Sequence, residues 1–436
     1  MIQNLRRLAR PILALAKKKK LPLQVFIRAK KGLLVRFANN GVHQNGFQDL
    51  LTYSLRVMTG EGPVYVESGD FSGAGIRSAL DVIASGAKQS PGLLRPRQST
   101  LAGPRNDGAR RHPRVKEFFP FSLEKTPELA ARVVEEGLRL IRREHATANG
   151  YFSAYQRFFY LRDPRGTELF HPATAVRFGV TVRKGPAKNY FSFYHPDPKK
   201  LHVGRAVGRA MELIGEASER EVTLRPGDYE CVFSPRALLE LFDPLRRHFD
   251  RRLCEDGKSV LSGRLGKKIF SPAFSLQESL QYPGQFGVPF DAEGAARRPV
   301  TLVKGGVLKD LLGKGHSTRG FTEHPFNPQN LVVEKGRLSL KNIFEKIRRG
   351  VFINKIWYHT LVKESEMEVT GLGAAGCFYI EKGRIVGSVP HLRYHDSLFS
   401  ILRSVAGATQ EQILLKDGEM GSALFPYLWV SRLRLV

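Results

Sequence analysis

A chain of 436 residues with 42% hydrophobic and 10% aromatic residues has room for two or three domains, each with its own core, and this excludes wholesale disorder. The net charge of +28 favours acidic partners such as nucleic acid or an anionic membrane, without identifying one. Cys231, Cys254 and Cys377 occur without CxxC spacing, so they fit neither a disulfide framework nor a thiolate zinc site and point to a reducing, cytoplasmic setting.

Residues 1–20 read as a basic extension. Met1 to Lys31 carries ten Lys or Arg and no acid, including the run Lys17 to Lys20. As a helix it would put Leu5, Leu8, Ile12 and Leu15 on one face, better suited to docking on the protein's own core than to a membrane surface. The apolar stretch is short and broken by Pro11, so no signal segment or membrane span is expected there.

An N-terminal α/β domain, residues 21–125, opens with alternating segments read as a meander of four strands: LPLQVFIRA, LLVRFA, VHQNGF and LLTYSLRVM. Turns are expected at Lys30-Lys31-Gly32 and Asn39-Asn40-Gly41. A short helix is expected around Ile76 to Ile83. Residues 82–112 then lose all period and are dense in Gly, Pro and Arg, which reads as an inserted surface loop. Such an insertion costs little loop entropy.

A central α/β domain, residues 126–222, starts with a helix capped at Thr126, with Pro127 in its first turn and Leu129, Val133, Val134, Leu138 and Ile141 as its stripe. Strands near Tyr155 to Leu161 and Val176 to Val182 precede a second helix carrying Val203, Val207 and Ile214. The C-terminal region, residues 223–436, has one more helix, started by Ser234-Pro235 and interrupted or kinked by Pro244, and is otherwise mostly strand. TLVKGGVLKDLL, NLVVEKGRLSL and CFYIEKGRIVGSV each place Lys-Gly between apolar runs, as hairpins do. The fold class expected is α+β: an N-terminal α/β part with a strand meander and helices, then a mostly β C-terminal domain with hairpins.

Chemistry is sparse. No HExxH or HExxxH occurs. His391 and His395, followed by Asp396, have the spacing of two ligands on one helical face and are weak metal candidates beside the plainer reading of a solvated turn. Ser262 lacks the GxSxG elbow, and Cys377 reads as a small buried apolar residue in a strand. Gly371 to Gly376 matches GxGxxG yet precedes a strand where a dinucleotide fingerprint opens a helix. The turn PFDAEG sets Asp291 and Glu293 two residues apart. They can pair with Arg297 or Arg298, or face a shared cavity as acid and base.

RFANNGVHQN, PGDYECVFSPRALLELF, GKSVLSGRLGKKIFSP, VPFDAEGAARRPVTLVKGGVLKDLL, HSTRG, NLVVEKG and GAAGCFYIEKGRI occur in that order and resemble the TldD/PmbA family over nearly the whole chain. In that family a zinc-bearing subunit with an HExxxH helix pairs with a subunit that lacks it, and the hollow heterodimer trims unfolded peptides. The resemblance implies a peptide cavity in which Asp291, Glu293, Ser317 and Thr318 are the candidates. With GKSVLSG as anchor, the HExxxH motif would fall on Phe242 to Arg247, where this chain reads FDPLRR. RYHDSL stands where family members often carry Gly-Asn.

The expectation is therefore a PmbA/TldE-like subunit, non-catalytic alone and without a cofactor of its own. A zinc-bearing TldD-like subunit and unfolded peptide would be its partners. The alternative is a basic scaffold that binds nucleic acid on the same fold, and steep salt dependence separates the two.

Overall fold

The computed structural model describes residues 1–58, 63–88, 118–291, 294–313, 330–418 and 421–436. Helix α1 (Ile2–Lys18) leads into strands β1 (Leu23–Ala38), β2 (Gly41–Met58) and β3 (Pro63–Ser68), then helices α2 (Gly73–Lys88) and α3 (Thr126–Arg143). Strands β4 (Thr147–Arg162), β5 (Glu168–Lys184) and β6 (Ala187–His195) and helix α4 (Val203–Met211) complete this half. All six strands form one antiparallel sheet in the order β3-β2-β1-β4-β5-β6, continuous across the boundary that the sequence suggests at residue 125.

Alternation within these strands sorts the two faces. Val25, Ile27, Tyr53, Leu55, Phe158 and Tyr160 are buried with Leu5, Ile12, Ile76 and Ile83 of α1 and α2. Val35, Phe152, Phe178 and Val180 are buried with Val133, Leu138 and Val207 of α3 and α4. The helices thus cover one face. On the other face, Phe286, Val288 and Phe290 of the C-terminal half pack on Phe26, Tyr155, Phe159 and Ala173.

The C-terminal half comprises β7 (Gly227–Phe233), α5 (Pro235–Leu241), α6 (Asp243–Arg246), α7 (Arg251–Glu255), β8 (Leu276–Glu278), β9 (Val300–Lys304), β10 (Val307–Leu308) and β11 (Leu331–Val333). After them come α8 (Leu340–Lys346), β12 (Arg349–Lys363), β13 (Glu368–Glu381), β14 (Arg384–Ser388), β15 (Arg393–Ser397), α9 (Leu398–Arg403), β16 (Val405–Asp417) and β17 (Gly421–Leu435). Strands β7, β12, β13, β15 and β17 pair successively, and β17 pairs back onto β7, so this part of the sheet closes on itself. The molecule is α+β with a strand-rich C-terminal half, as the sequence predicts.

Three local expectations need correction. β1 and β2 are single long strands, with no turn at Lys30-Lys31-Gly32, because Gly32 lies against β4, where a Cβ would stand 2.2 Å from the Ala154 carbonyl oxygen. The basic start forms α1, and Leu5, Ala9, Ile12 and Ala16 dock on the core against β1 and α2, as the apolar face of the helix suggests. The patternless segment does not begin at Val82, since α2 runs to Lys88 and buries Ile83 and Ala87; residues 89–112 lie outside the described residues. Finally, Lys335-Gly336 turns no hairpin, because β11 pairs with β8 and β17 and Gly336 approaches the backbone of Ala408. The turns at Asn39-Asn40, Gly305-Gly306 and Lys382-Gly383 are present, each with positive φ at both residues.

Candidate functional site

The hydroxyl of Ser234 accepts from the backbone N–H groups of Arg236 and Ala237 and donates to the Asn354 carbonyl at 2.6 Å, capping α5 and fixing it to β12. Pro244 stands in the first turn of α6, so the helical run breaks after Leu241 instead of carrying ligands through successive turns. The side chains of 242–247 are already engaged. Phe242 is buried on Phe274 and Phe425, Arg246 is buried in a pair with Asp417, and Arg247 pairs with Glu364. Asp243 points to solvent, its side chain 77% exposed.

Two histidines that no spacing singled out flank this segment. His248 is fully buried, accepts from the Val260 N–H at Nδ1, and has Nε2 3.5 Å from Glu364. Burial, then the Arg247 charge, lowers its pKa, while Glu364 opposes the shift. His359 on β12 meets the Tyr394 hydroxyl at 2.7 Å through Nδ1. Burial lowers its pKa to about 4, against the pull of Asp243 and the Leu241 backbone, so it is neutral at physiological pH. Among the described residues no group of three or more His, Cys, Asp or Glu is gathered as a metal site.

The residues singled out from sequence are dispersed. His391 sits in an exposed turn and His395 on β15, so the expected shared helical face does not exist; His395 Nε2 meets Glu368 at 2.6 Å. Asp291 is 1% exposed, and its carboxylate accepts from the Ala295 N–H at 2.8 Å, bracing the turn. Arg297 takes buried Glu278 as its ion-pair partner instead of Asp291. Glu293, Ser317 and Thr318 lie outside the described residues. Cys377 is 6% exposed on β13, its thiol pushed up to about 12 by burial, which makes it a poor nucleophile. Gly371 to Gly376 lies within β13 itself instead of in a turn that precedes a strand, and it opens no helix.

Beside this apolar cluster the same sheet face turns polar and basic, with Tyr155 and Arg157 themselves buried. Tyr151, Tyr155 and Arg157 alternate on β4 beside Lys30 of β1 and Arg177 of β5. The Arg177 guanidinium donates to the Tyr151 hydroxyl at 3.0 Å, and Lys30 Nζ stands 4.8 Å from the centre of the Tyr155 ring. From the C-terminal half, Lys355 Nζ lies 4.6 Å from the Tyr190 ring centre, and Asn354 donates to Asn189 at 2.6 Å, locking the two halves together. Sequence reasoning missed this face, although the period-two spacing of Tyr151, Tyr155 and Arg157 against the apolar positions between them was the available signal.

With this geometry in place, the pattern of the PmbA/TldA metallopeptidase C-terminal domain matches residues 226–436. An uncharacterised protein of Methanocaldococcus jannaschii is 25% identical over 194 residues, 41% of this chain and 45% of that protein. A protein of Methanothermobacter thermautotrophicus described as a metalloprotease is 25% identical over 215 residues, 44% and 46% of the two chains. The chain thus spans about half the length of the curated relatives it matches. The crystal structure of TldE from Thermococcus kodakarensis superposes with a TM-score of 0.80 and 17% identity, over 98% of this chain and all of that one, so the whole fold is shared. From β7 to the C-terminus the chain therefore carries the C-terminal domain of the PmbA/TldA metallopeptidase family, on a whole fold that it shares with the TldE structure.

Proposed function

We propose that this chain is the non-catalytic subunit of a TldD/PmbA-type peptidase, shaping a peptide cavity for a zinc-bearing partner. The observation that carries the reading is the segment 242–247: FDPLRR offers no imidazole, a proline divides its helix, and Arg246 fills the interior with a buried ion pair. Zinc hydrolysis needs an open coordination position and a general base beside the bound water, and Asp243 points away into solvent. In this reading Asp291 serves the cavity by bracing its turn, and Glu293, Ser317 and Thr318 remain the candidate peptide contacts that the family resemblance implies. Trp357 and Tyr358, stacked at 4.9 Å and 61% and 66% exposed on β12, supply an aromatic anchor of the kind protein interfaces use. We assign that pair to the partner subunit.

The test is reconstitution with an HExxxH-bearing TldD-type subunit. The expected result is no cleavage of unfolded peptide by this chain with added zinc, and cleavage by the mixture above that of the partner alone. Zinc-dependent cleavage by the isolated chain overturns the reading. A W357A/Y358A variant is expected to weaken association while melting unchanged.

The polyanion reading draws on the net charge of +28 and on Arg6, Arg10 and Lys17, which line an open groove beside Arg162. Nucleic-acid affinity that falls steeply as salt rises, with no association to a TldD-type subunit, selects it instead.

A further inference from the structure

Three large apolar side chains crowd one stretch of sheet edge. Val42, Phe47 and Leu50 of β2 are each more than half exposed, and no residue from Gly41 to Leu50 is buried. The sheet order explains why. β1 pairs along the whole of β2 on one side, whereas β3 covers the other side only over Tyr53–Met58. Among the described residues no strand completes that side from Gly41 to Thr52, so alternate backbone N–H and C=O groups there point outward with no ladder to join. Edges of this kind are commonly guarded by lysine or proline. Here no Lys, Arg or Pro stands between Arg36 and Arg56, in a chain whose net charge is +28. Arg36 pairs with Gln44 and Phe37 with Val42, so His43 is an extra residue that bulges the strand. The regular open edge therefore begins at Gln44 and ends where β3 joins at Tyr53.

We propose that this edge is an interface between two copies of the chain, their β2 strands pairing antiparallel about a two-fold axis at Phe47. Charge selects a second copy as the occupant. An acidic partner is drawn to the basic surface elsewhere, whereas two strongly positive chains can meet only where cations are missing, and the edge offers amides and apolar side chains that complement themselves. An axis at Phe47 sets Gln44 against Leu50, Asn45 against Asp49 and Gly46 against Gln48. Phe47 then faces Phe47 of the second copy, and each Asp49 carboxylate, already held by Lys31 at 2.8 Å, can accept from an Asn45 amide. On the opposite face Lys30 lies beside Leu50 and Arg36 beside Gln44. In the pair, Lys30 of one copy and Arg36 of the other stand three strand spacings apart, about 14 Å, which exceeds the screening length of about 10 Å. The contact is independent of the peptidase reading, because β2 belongs to the other half of the molecule from Trp357 and Tyr358.

The experiment is sedimentation velocity on the full chain alone across about 1–200 μM, the range in which so small a contact associates. A monomer–dimer equilibrium is expected. Phe47→Lys opposes two cations at the axis and should weaken the dimer about tenfold or more, with the melting temperature of the dilute chain unchanged because the side chain is exposed. Asn45→Asp sets a carboxylate against that of Asp49 and should weaken it too. Adding Asp49→Asn to the same chain restores an amide opposite a carboxylate and should restore the dimer. If Phe47→Lys melts early, Asn45→Asp and its rescue decide. A monomer throughout the range overturns the proposal, and so does a dimer that survives Phe47→Lys in a stably folded chain. Growth beyond the dimer overturns it as well, since a two-fold contact closes the edge. Dissociation by W357A/Y358A alone moves the contact to β12 and overturns it, and loss on Asn45→Asp without rescue overturns the pairing about Phe47. None of these outcomes touches cleavage by a zinc-bearing subunit, so the peptidase reading stands or falls separately.

Discussion

Glu278 and Arg297 are both held out of water, with side chains 2% and 5% exposed, and the pair is completed by the Asn330 N–H donating to Glu278 and by Arg297 donating to the Val288 carbonyl. Removing one partner strands the other charge in the interior, so Arg297→Met is expected to cost about 3–5 kcal/mol in chemical denaturation. Adding Glu278→Gln should recover part of that loss, because the neutral amide still accepts from Asn330. Protonation of His359 couples folding to pH in the same way that burial couples it to charge. Its pKa is about 4 folded, and an unfolded histidine titrates near 6.5, so the unfolded state binds more protons in between. The contribution of neutral His359 is fully present above about pH 6.5 and is lost as pH falls toward about 4. Melting temperatures across that window should fall less steeply in His359→Gln than in the parent, and identical slopes would refute this. Neither the buried pair nor His359 was legible in sequence, since burial by distant elements sets both.

Sequence marks an element well where local chemistry and tertiary packing agree. Ser234-Pro235 begins α5 and Pro244 divides the helical run beyond Leu241, as the sequence suggests, because capping and proline geometry act within a turn or two. Lys-Gly misleads where glycine answers a different demand: at Gly32 and Gly336 the absent side chain admits another strand's backbone, and no turn forms. In helix α1 the apolar face read from spacing is the buried one, and Ile12 has no exposure, so Ile12→Ala is expected to cost about 2–5 kcal/mol. Deletion experiments check the boundary of α2. A chain lacking residues 82–112 should melt lower than one lacking 89–112, since only the first loses buried Ile83 and Ala87. Equal melting would remove the claim that the end of α2 holds core.

For the whole molecule, the expected absence of a zinc site is a composition measurement on the purified chain. Desalted protein should hold well under one zinc per chain, and a stoichiometric content would direct mutation first to the buried His248 and the half-buried His359 beside the broken helix. The Asn189–Asn354 hydrogen bond joins the two halves, with Gly376 at φ +68 packed so closely that a Cβ would stand 2.4 Å from Asn189. Gly376→Ala is therefore expected to lower the melting temperature and to weaken peptide binding together.

Sequence alone determined the family resemblance, the α+β class, the missing HExxxH and the turns with positive φ, because each depends on residues adjacent in the chain. Tertiary structure alone decided that His391 and His395 share no helical face, that Arg297 takes Glu278, and that Lys30 and Arg177 lie on the sheet face opposite the helices. Those cations are far apart along the chain. Only the register of β1, β4 and β5 puts them on one face, and local spacing carries no information about such pairing.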